Sequence, residues 1–201
     1  MNVLYDRLPA HYEGYRVNMD FQIGIQVSCV FYDSDLSEEE KNRTIIELLF
    51  GEEYPDSNGF SKDIIREYPE DIEDCITWFM AGWNHDNKTS ESQGRSMDYH
   101  KDQWRIYADF WRNYRIDLNT AEMHWWVFQG LLWNMGADTS ALYNAINIRT
   151  KKIGEKYSER DANRQLRDAK RQLAIEDAMG AVKEYTAEEN ANIDLFDQIM
   201  G

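Results

Sequence analysis

Residues 120–135 read TAEMHWWVFQGLLWNM. At helical spacing, Met123, Trp125, Trp126, Val127, Phe128, Leu131, Leu132 and Trp133 cover more than one face. A helix that is apolar nearly all round belongs at the centre of a bundle, because no side of it suits water. Working outward, Ile72, Ile76, Phe79, Met80 and Trp83 recur at i, i+4, i+7, i+8 and i+11 and predict a core-facing helix beginning at Pro69. Glu70, Asp71, Glu73 and Asp74 suit the positive end of its dipole. Trp104, Tyr107, Ala108 and Trp111 predict another helix, with a corner over 113–118 and a short helix over 142–148.

Toward the N-terminus, Glu13-Gly14 reads as the turn of a short hairpin. Asn18 or Asp20 can then cap a helix through Phe21, Ile25 and Cys29, with Gly24 as its weak point. Ser37-Glu38-Glu39-Glu40 is a capping box, and its helix runs through Ile45, Leu48 and Leu49 to stop at Gly51. Residues 52–59 and 84–101 read as polar surface loops. Beyond Ser158 the pattern thins to a narrow seam, Ala162, Leu166, Ala169 and Leu173, too slight for deep burial. A second capping box, Thr186-Ala187-Glu188-Glu189, opens a last amphipathic helix carrying Ile193, Phe196, Ile199 and Met200. The expected fold is mainly α: a helical bundle with a short N-terminal β-hairpin and an extended C-terminal helix. It divides into a core domain over 1–157 and a C-terminal extension over 158–201 with an acidic amphipathic end.

The chain has 201 residues with 37 Asp and Glu against 22 Lys and Arg, a net charge of −15. Such a surface repels nucleic-acid phosphates and anionic lipid, so neither nucleic acid nor membrane is expected as a partner. The 7 Trp, 12 Tyr and 8 Phe exclude global disorder. No spanning run of apolar residues occurs, and Met1 to Arg7 carries no apolar leader, so a cytoplasmic location is expected, with Cys29 and Cys75 as unpaired buried thiols. Charge is uneven. Residues 33–74 hold 15 acids and 4 bases; residues 149–171 hold 9 bases and 4 acids. These two segments could pair between copies in a homo-oligomer.

Chemistry-bearing motifs are sparse. His85-Asp86 resembles the dipeptide of metal-dependent phosphohydrolases, but His11, His100 and His124 lie at no ligand spacing from it or from each other. No Gly-rich phosphate loop, nucleophile elbow or paired-cysteine motif is present. His124 beside Trp125-Trp126 reads as a hydrogen-bonded core residue rather than a general base. The tryptophans all fall on expected core helices, so packing is favoured over a stacking platform. No catalytic residue, metal or cofactor is expected.

Several pieces in order carry a family resemblance. They are Leu8-Pro9, Leu36 to Lys41, Leu48-Leu49-Phe50-Gly51, Ile106-Tyr107, Phe110, Tyr114 to Leu118, His124 to Phe128 and Ile146 to Arg149. The chain resembles the phage "gene product fifteen" family of tail-operon proteins over about Leu8 to Leu173. Members usually have Gly where this chain has Arg115, and often Lys where it has Val127. The resemblance implies a mostly helical protein of tail morphogenesis, acting in the host bacterial cytoplasm. It further implies a tail assembly chaperone, which keeps the tape-measure protein soluble until tube subunits replace it. The alternative is a structural tail or adaptor component retained in the virion. Candidate partner-binding residues are Leu166 and Leu173 on the seam, and Ile193, Phe196, Ile199 and Met200 on the last helix, as surfaces for helix-in-groove contact.

Overall fold

The computed structural model describes residues 2–55, 61–65, 67–82, 95–154 and 160–175. Among these it is mainly helical, with a short antiparallel hairpin at the N-terminus. The chain forms two compact units. One comprises Met1–Ser90 and Gln103–Ser140, the other Glu91–Asp102 and Ala141–Gly201. The expected boundary at 157/158 lies outside the described residues.

In the first unit, β1 (His11–Tyr12) pairs with β2 (Tyr15–Arg16), with Tyr12 opposite Tyr15. The two turn residues, Glu13 at φ 48° and Gly14 at φ 93°, are both left-handed, the conformation whose twist matches a two-residue hairpin. Asp20 then caps α1 (Phe21–Phe31), its carboxylate accepting the Gln22 N–H at 2.8 Å. Ser37 and Glu40 form the expected capping box at the start of α2 (Glu38–Phe50).

Past α2 the chain departs from the loop expected over 52–59. β3 (Gly51–Pro55) pairs antiparallel with β4 (Ser61–Ile65) in a second hairpin. The charged 52–53 pair argues against a strand by propensity, but ladder pairing overrides propensity in a hairpin. The next helix, α3 (Ile72–Ala81), begins three residues after Pro69. Asp71 supplies its cap by accepting the Asp74 N–H, while Pro69 is itself fully buried.

The central helix α5 (Trp125–Trp133) is shorter than the 120–135 span because His124 caps it. Residues 120–123 instead form a turn and an extended lead-in. An isolated antiparallel bridge joins Asp20 to His124: Phe21 N–H donates to Met123 O at 3.0 Å and Trp125 N–H to Met19 O at 2.6 Å. Both cap residues therefore sit side by side and launch α1 and α5 together. The two helices close so far that a Cβ at Gly24 would lie 2.1 Å from Trp125 Cε3. The glycine that weakens α1 as an isolated helix is what lets the indole in.

Around Trp125 the core is a run of near-parallel rings. Trp125 stacks on Phe79 and Phe128 with centroids 5.8 Å away in both cases, and Phe128 stacks on Phe21 at 5.2 Å and Phe110 at 5.0 Å. All five rings are fully or nearly fully buried. Trp126 donates its indole N–H to Phe79 O at 2.8 Å, which ties α5 to α3.

α4 (Gln103–Tyr114) corrects the expected packing face. Its buried residues are Ile106, Asp109 and Phe110, whereas Trp104 is 75% exposed and Trp111 is 49% exposed. Asp109 is tolerated inside because its carboxylate accepts the Ser140 hydroxyl at 2.8 Å. The helix ends where Arg115 turns left-handed at φ 58°, its N–H donating to Trp111 O at 3.2 Å. An L side chain there costs roughly 1–2 kcal/mol, which glycine avoids. Arg115→Gly is therefore expected to raise stability by about 0.5–1 kcal/mol, since glycine's extra unfolded-state freedom offsets part of the gain. The measurement is the urea midpoint; a lower midpoint would refute the strain account.

In the second unit, α6 (Ala141–Thr150) packs against α7 (Arg160–Gln172).

Candidate partner-binding surfaces

α7 is held more by polar ties than by its apolar seam. Ala162 is exposed, and Leu166, Ala169 and Leu173 are only half-buried. The tie begins at Arg149, in the last turn of α6. Its guanidinium makes a bidentate pair with Asp102, at 2.6 and 2.8 Å, and both side chains are almost wholly excluded from solvent. The remaining donors reach Ser96 O at 3.1 Å and, from Nε, Leu173 O at 2.7 Å. Lys170 donates to Arg149 O, and Lys101 to Ala174 O at 2.7 Å. Asp102 also accepts the Asp98 N–H, and Asp98 pairs with Arg95 at 2.9 Å. The planar fork of arginine suits this task, because it can satisfy a carboxylate and two carbonyls at once.

This arrangement changes the reading of the basic segment. Arg149 and Lys170 are buried, and burial pushes the Lys170 ammonium pKa down. They staple the unit internally rather than face a partner. Among the described side chains of α7, the exposed cations are Arg164, Arg167 and Arg171, the last 3.7 Å from Asp168. Of the expected binding residues, Leu166 and Leu173 are thus partly open to solvent. Ile193, Phe196, Ile199 and Met200 lie outside the described residues, as does His85-Asp86.

In the first unit a cleft of about 500 Å³ lies among Arg16, Val17, Asp20, Phe50, Met123 and His124. His124 has both ring nitrogens committed. Nδ1 accepts the Trp126 N–H at 3.1 Å, and Nε2 lies 2.8 Å from the Pro9 carbonyl, which can only accept. The ring is therefore neutral with its proton on Nε2. Burial holds its pKa below the ordinary value of 6.5, opposed by the hydrogen bond to Pro9. Protonating Nδ1 would destroy the α5 cap.

A histidine whose folded pKa is depressed contributes stability above pH 6.5 that is lost as pH falls toward the folded value, because the unfolded chain takes up the proton first. We expect the urea midpoint to drop more between about pH 7.5 and 5.5 in the native chain than in His124→Asn, which keeps a capping oxygen but cannot titrate. Equal drops would show that His124 is not the titrating group. Cys75 is likewise inert: burial pushes its thiol up to about 12. Neither cysteine lies in a disulfide, and Cys29 is only half-buried.

A surface that sequence reasoning missed is the outer face of α4. Trp104, Ala108 and Trp111 form an open stripe at i, i+4 and i+7, and Trp104 meets Tyr107 edge-on at 6.0 Å. Trp133 on α5 is also 45% exposed. Of the tryptophans described, only Trp125 and Trp126 are buried, so core packing does not account for the set. No local signal announces this face, because the partner that lets Asp109 go inside, Ser140, stands 31 residues away.

Comparison with known proteins gives one family: the model described as "Bacteriophage Gp15 protein" matches residues 4–175. The chain belongs to the bacteriophage Gp15 family. No curated protein and no solved structure matches it. Family membership makes it a phage structural or tail-related protein. The matched span takes in the aromatic core of the Gp15 protein, its α4 stripe and the Arg149–Asp102 staple; Ile193, Phe196, Ile199 and Met200 fall beyond it. Among the described residues, no group of three or more His, Cys, Asp and Glu side chains is placed to hold a metal ion, and no helix is long and apolar enough to cross a membrane.

Proposed function

We propose that this Gp15-family protein is a tail assembly chaperone, a non-enzymatic binder that keeps the tape-measure protein soluble in the host cytoplasm during tail morphogenesis. The observation that carries the reading is the family match over residues 4–175. Physical features agree with it. A tape-measure protein is long and apolar in stripes, so its holder needs weak, repeated, reversible contacts and must itself stay soluble. A net charge of −15 serves the second need by repulsion. The first is served by half-open apolar positions such as Leu166 on α7 and Leu173 just past its end; the helix is tied by Arg149 and Lys170, so that its outer side need not be buried.

The experiment is co-expression with the phage's tape-measure protein, measuring the soluble fraction. The chaperone reading expects solubility to rise with this chain and to fall back with Leu166→Asp/Leu173→Asp. A tape-measure protein equally insoluble with and without this chain would refute it. The alternative, a structural component of the tail or its adaptor, agrees equally with family membership and is separated by the composition of purified particles.

A further inference from the structure

The first unit carries two open surfaces of opposite character, and we propose that they bind each other between copies: the tryptophan face of α4 in one molecule seats in the α2–β4 groove of the next. The proposal stands apart from the tape-measure reading and does not need it.

The first surface is the outer stripe of α4 continued to its cap: Trp104, Ala108, Trp111 and Arg115, at i, i+4, i+7 and i+11. Ala108 leaves a gap between two indoles about 10 Å apart along the axis, so the face is ridged rather than flat. Arg105 and Arg112 lie on the adjoining ridge. The one acid between 103 and 115 is Asp109, and it is buried against Ser140. The α4 face thus carries indoles and arginines with no acid of its own helix among them, on a chain whose net charge is −15. Nucleic acid would meet the repulsion of the whole molecule, which weighs against it.

The second surface is a groove of about 540 Å³ between α2 and the end of β4. Ile46, Ile65 and Tyr68 supply its apolar wall, and Ile65 and Tyr68 are 46% and 45% exposed. Glu38 and Glu39 edge it. Among the described lining residues the cation is Arg43, turned to Glu47 at 3.2 Å, and Glu38 is itself paired with Lys41 at 2.9 Å. The groove lies in the segment from 33 to 74 that holds 15 acids against 4 bases. An aromatic ridge flanked by arginines and an apolar trough flanked by carboxylates match in both shape class and charge.

The two patches differ, so the contact is heterologous, and a bound pair still offers one free patch of each kind. The apolar area is small, of order 1,000 Å² in total, so association is weak and concentration-dependent. Salt weakens it further, since the charges lie at the rim.

Sedimentation velocity of the full chain over a concentration series tests this. The native chain is expected to gain mass with concentration and to lose it on raising salt. Trp104→Ala/Trp111→Ala is expected to weaken association at least about tenfold, as central tryptophans do. Arg105→Glu/Arg112→Glu should act likewise on the α4 face, and Glu39→Lys/Ile65→Asn on the groove. All these positions except Arg105 are exposed, and circular dichroism checks that folding is intact. The decisive arm mixes Trp104→Ala/Trp111→Ala with Glu39→Lys/Ile65→Asn. Each alone is monomeric, but together they retain one working contact and form a one-to-one dimer. A native chain that stays monomeric overturns the proposal. So does a mixture that forms no dimer, a groove variant that still dimerises alone, which points to a contact using the α4 face twice, or an oligonucleotide that quenches the tryptophans of a chain that remains monomeric.

Discussion

Asp102→Ala is expected to destabilise the second unit by about 3–5 kcal/mol, the usual cost of stranding a charge inside a protein. Arg149 would remain buried without its carboxylate, and Asp98 would lose an acceptor for its N–H. The pair itself contributes little net stability, because two desolvated charges cost nearly as much as their attraction returns. The double variant Asp102→Leu/Arg149→Met should therefore recover much of the loss. Recovery stays incomplete because Leu173 O and Ser96 O also lose their donor. Urea unfolding of the two single variants and the double variant supplies the coupling. Purely additive losses would mean that the two side chains act independently and that the staple is not what fixes α7.

The second large effect is Gly24→Ala. Alanine in place of an interior helical glycine ordinarily stabilises by about 0.5–1 kcal/mol. Here the added methyl would stand 2.1 Å from Trp125 Cε3, inside a fully buried ring stack with no room to yield. The expected outcome is a loss of about 3 kcal/mol, toward the upper end for overpacked cores. Gly130→Ala is the internal control. A Cβ there meets nothing within 4 Å, so the ordinary gain should appear. If both substitutions stabilise, α1 and α5 are not as close as the structure has them.

The parts of the fold that could be read in advance are those set by neighbours in sequence. The Glu13-Gly14 turn, the Asp20 cap and the Ser37–Glu40 box each act over four residues or fewer, and local chemistry decides them. The parts that could not be read depend on distant partners. Trp104 and Trp111 outrank Asp109 on any hydropathy scale, yet Asp109 goes inside because Ser140, far along the chain, meets it. The Asp102–Arg149 pair spans 47 residues with no motif to announce it. β3 and β4 owe their existence to each other rather than to their composition. The same division applies to the binding surfaces. Leu166 and Leu173 follow from periodicity, whereas the aromatic stripe of α4 is visible only once the helix is correctly turned.

The first unit is centred on a stack of rings around Trp125, and the second unit holds a buried ion pair. Both are devices for holding shape. A fixed shape is what the role proposed above asks of this protein, which would present its surfaces to another chain during assembly and then leave. Quantitative mass spectrometry of purified virions tests this most directly. A departing chaperone is expected to be absent or present only in traces far below one copy per tail. A fixed, whole-number copy number in mature particles would contradict the account and make this protein a permanent part of the tail.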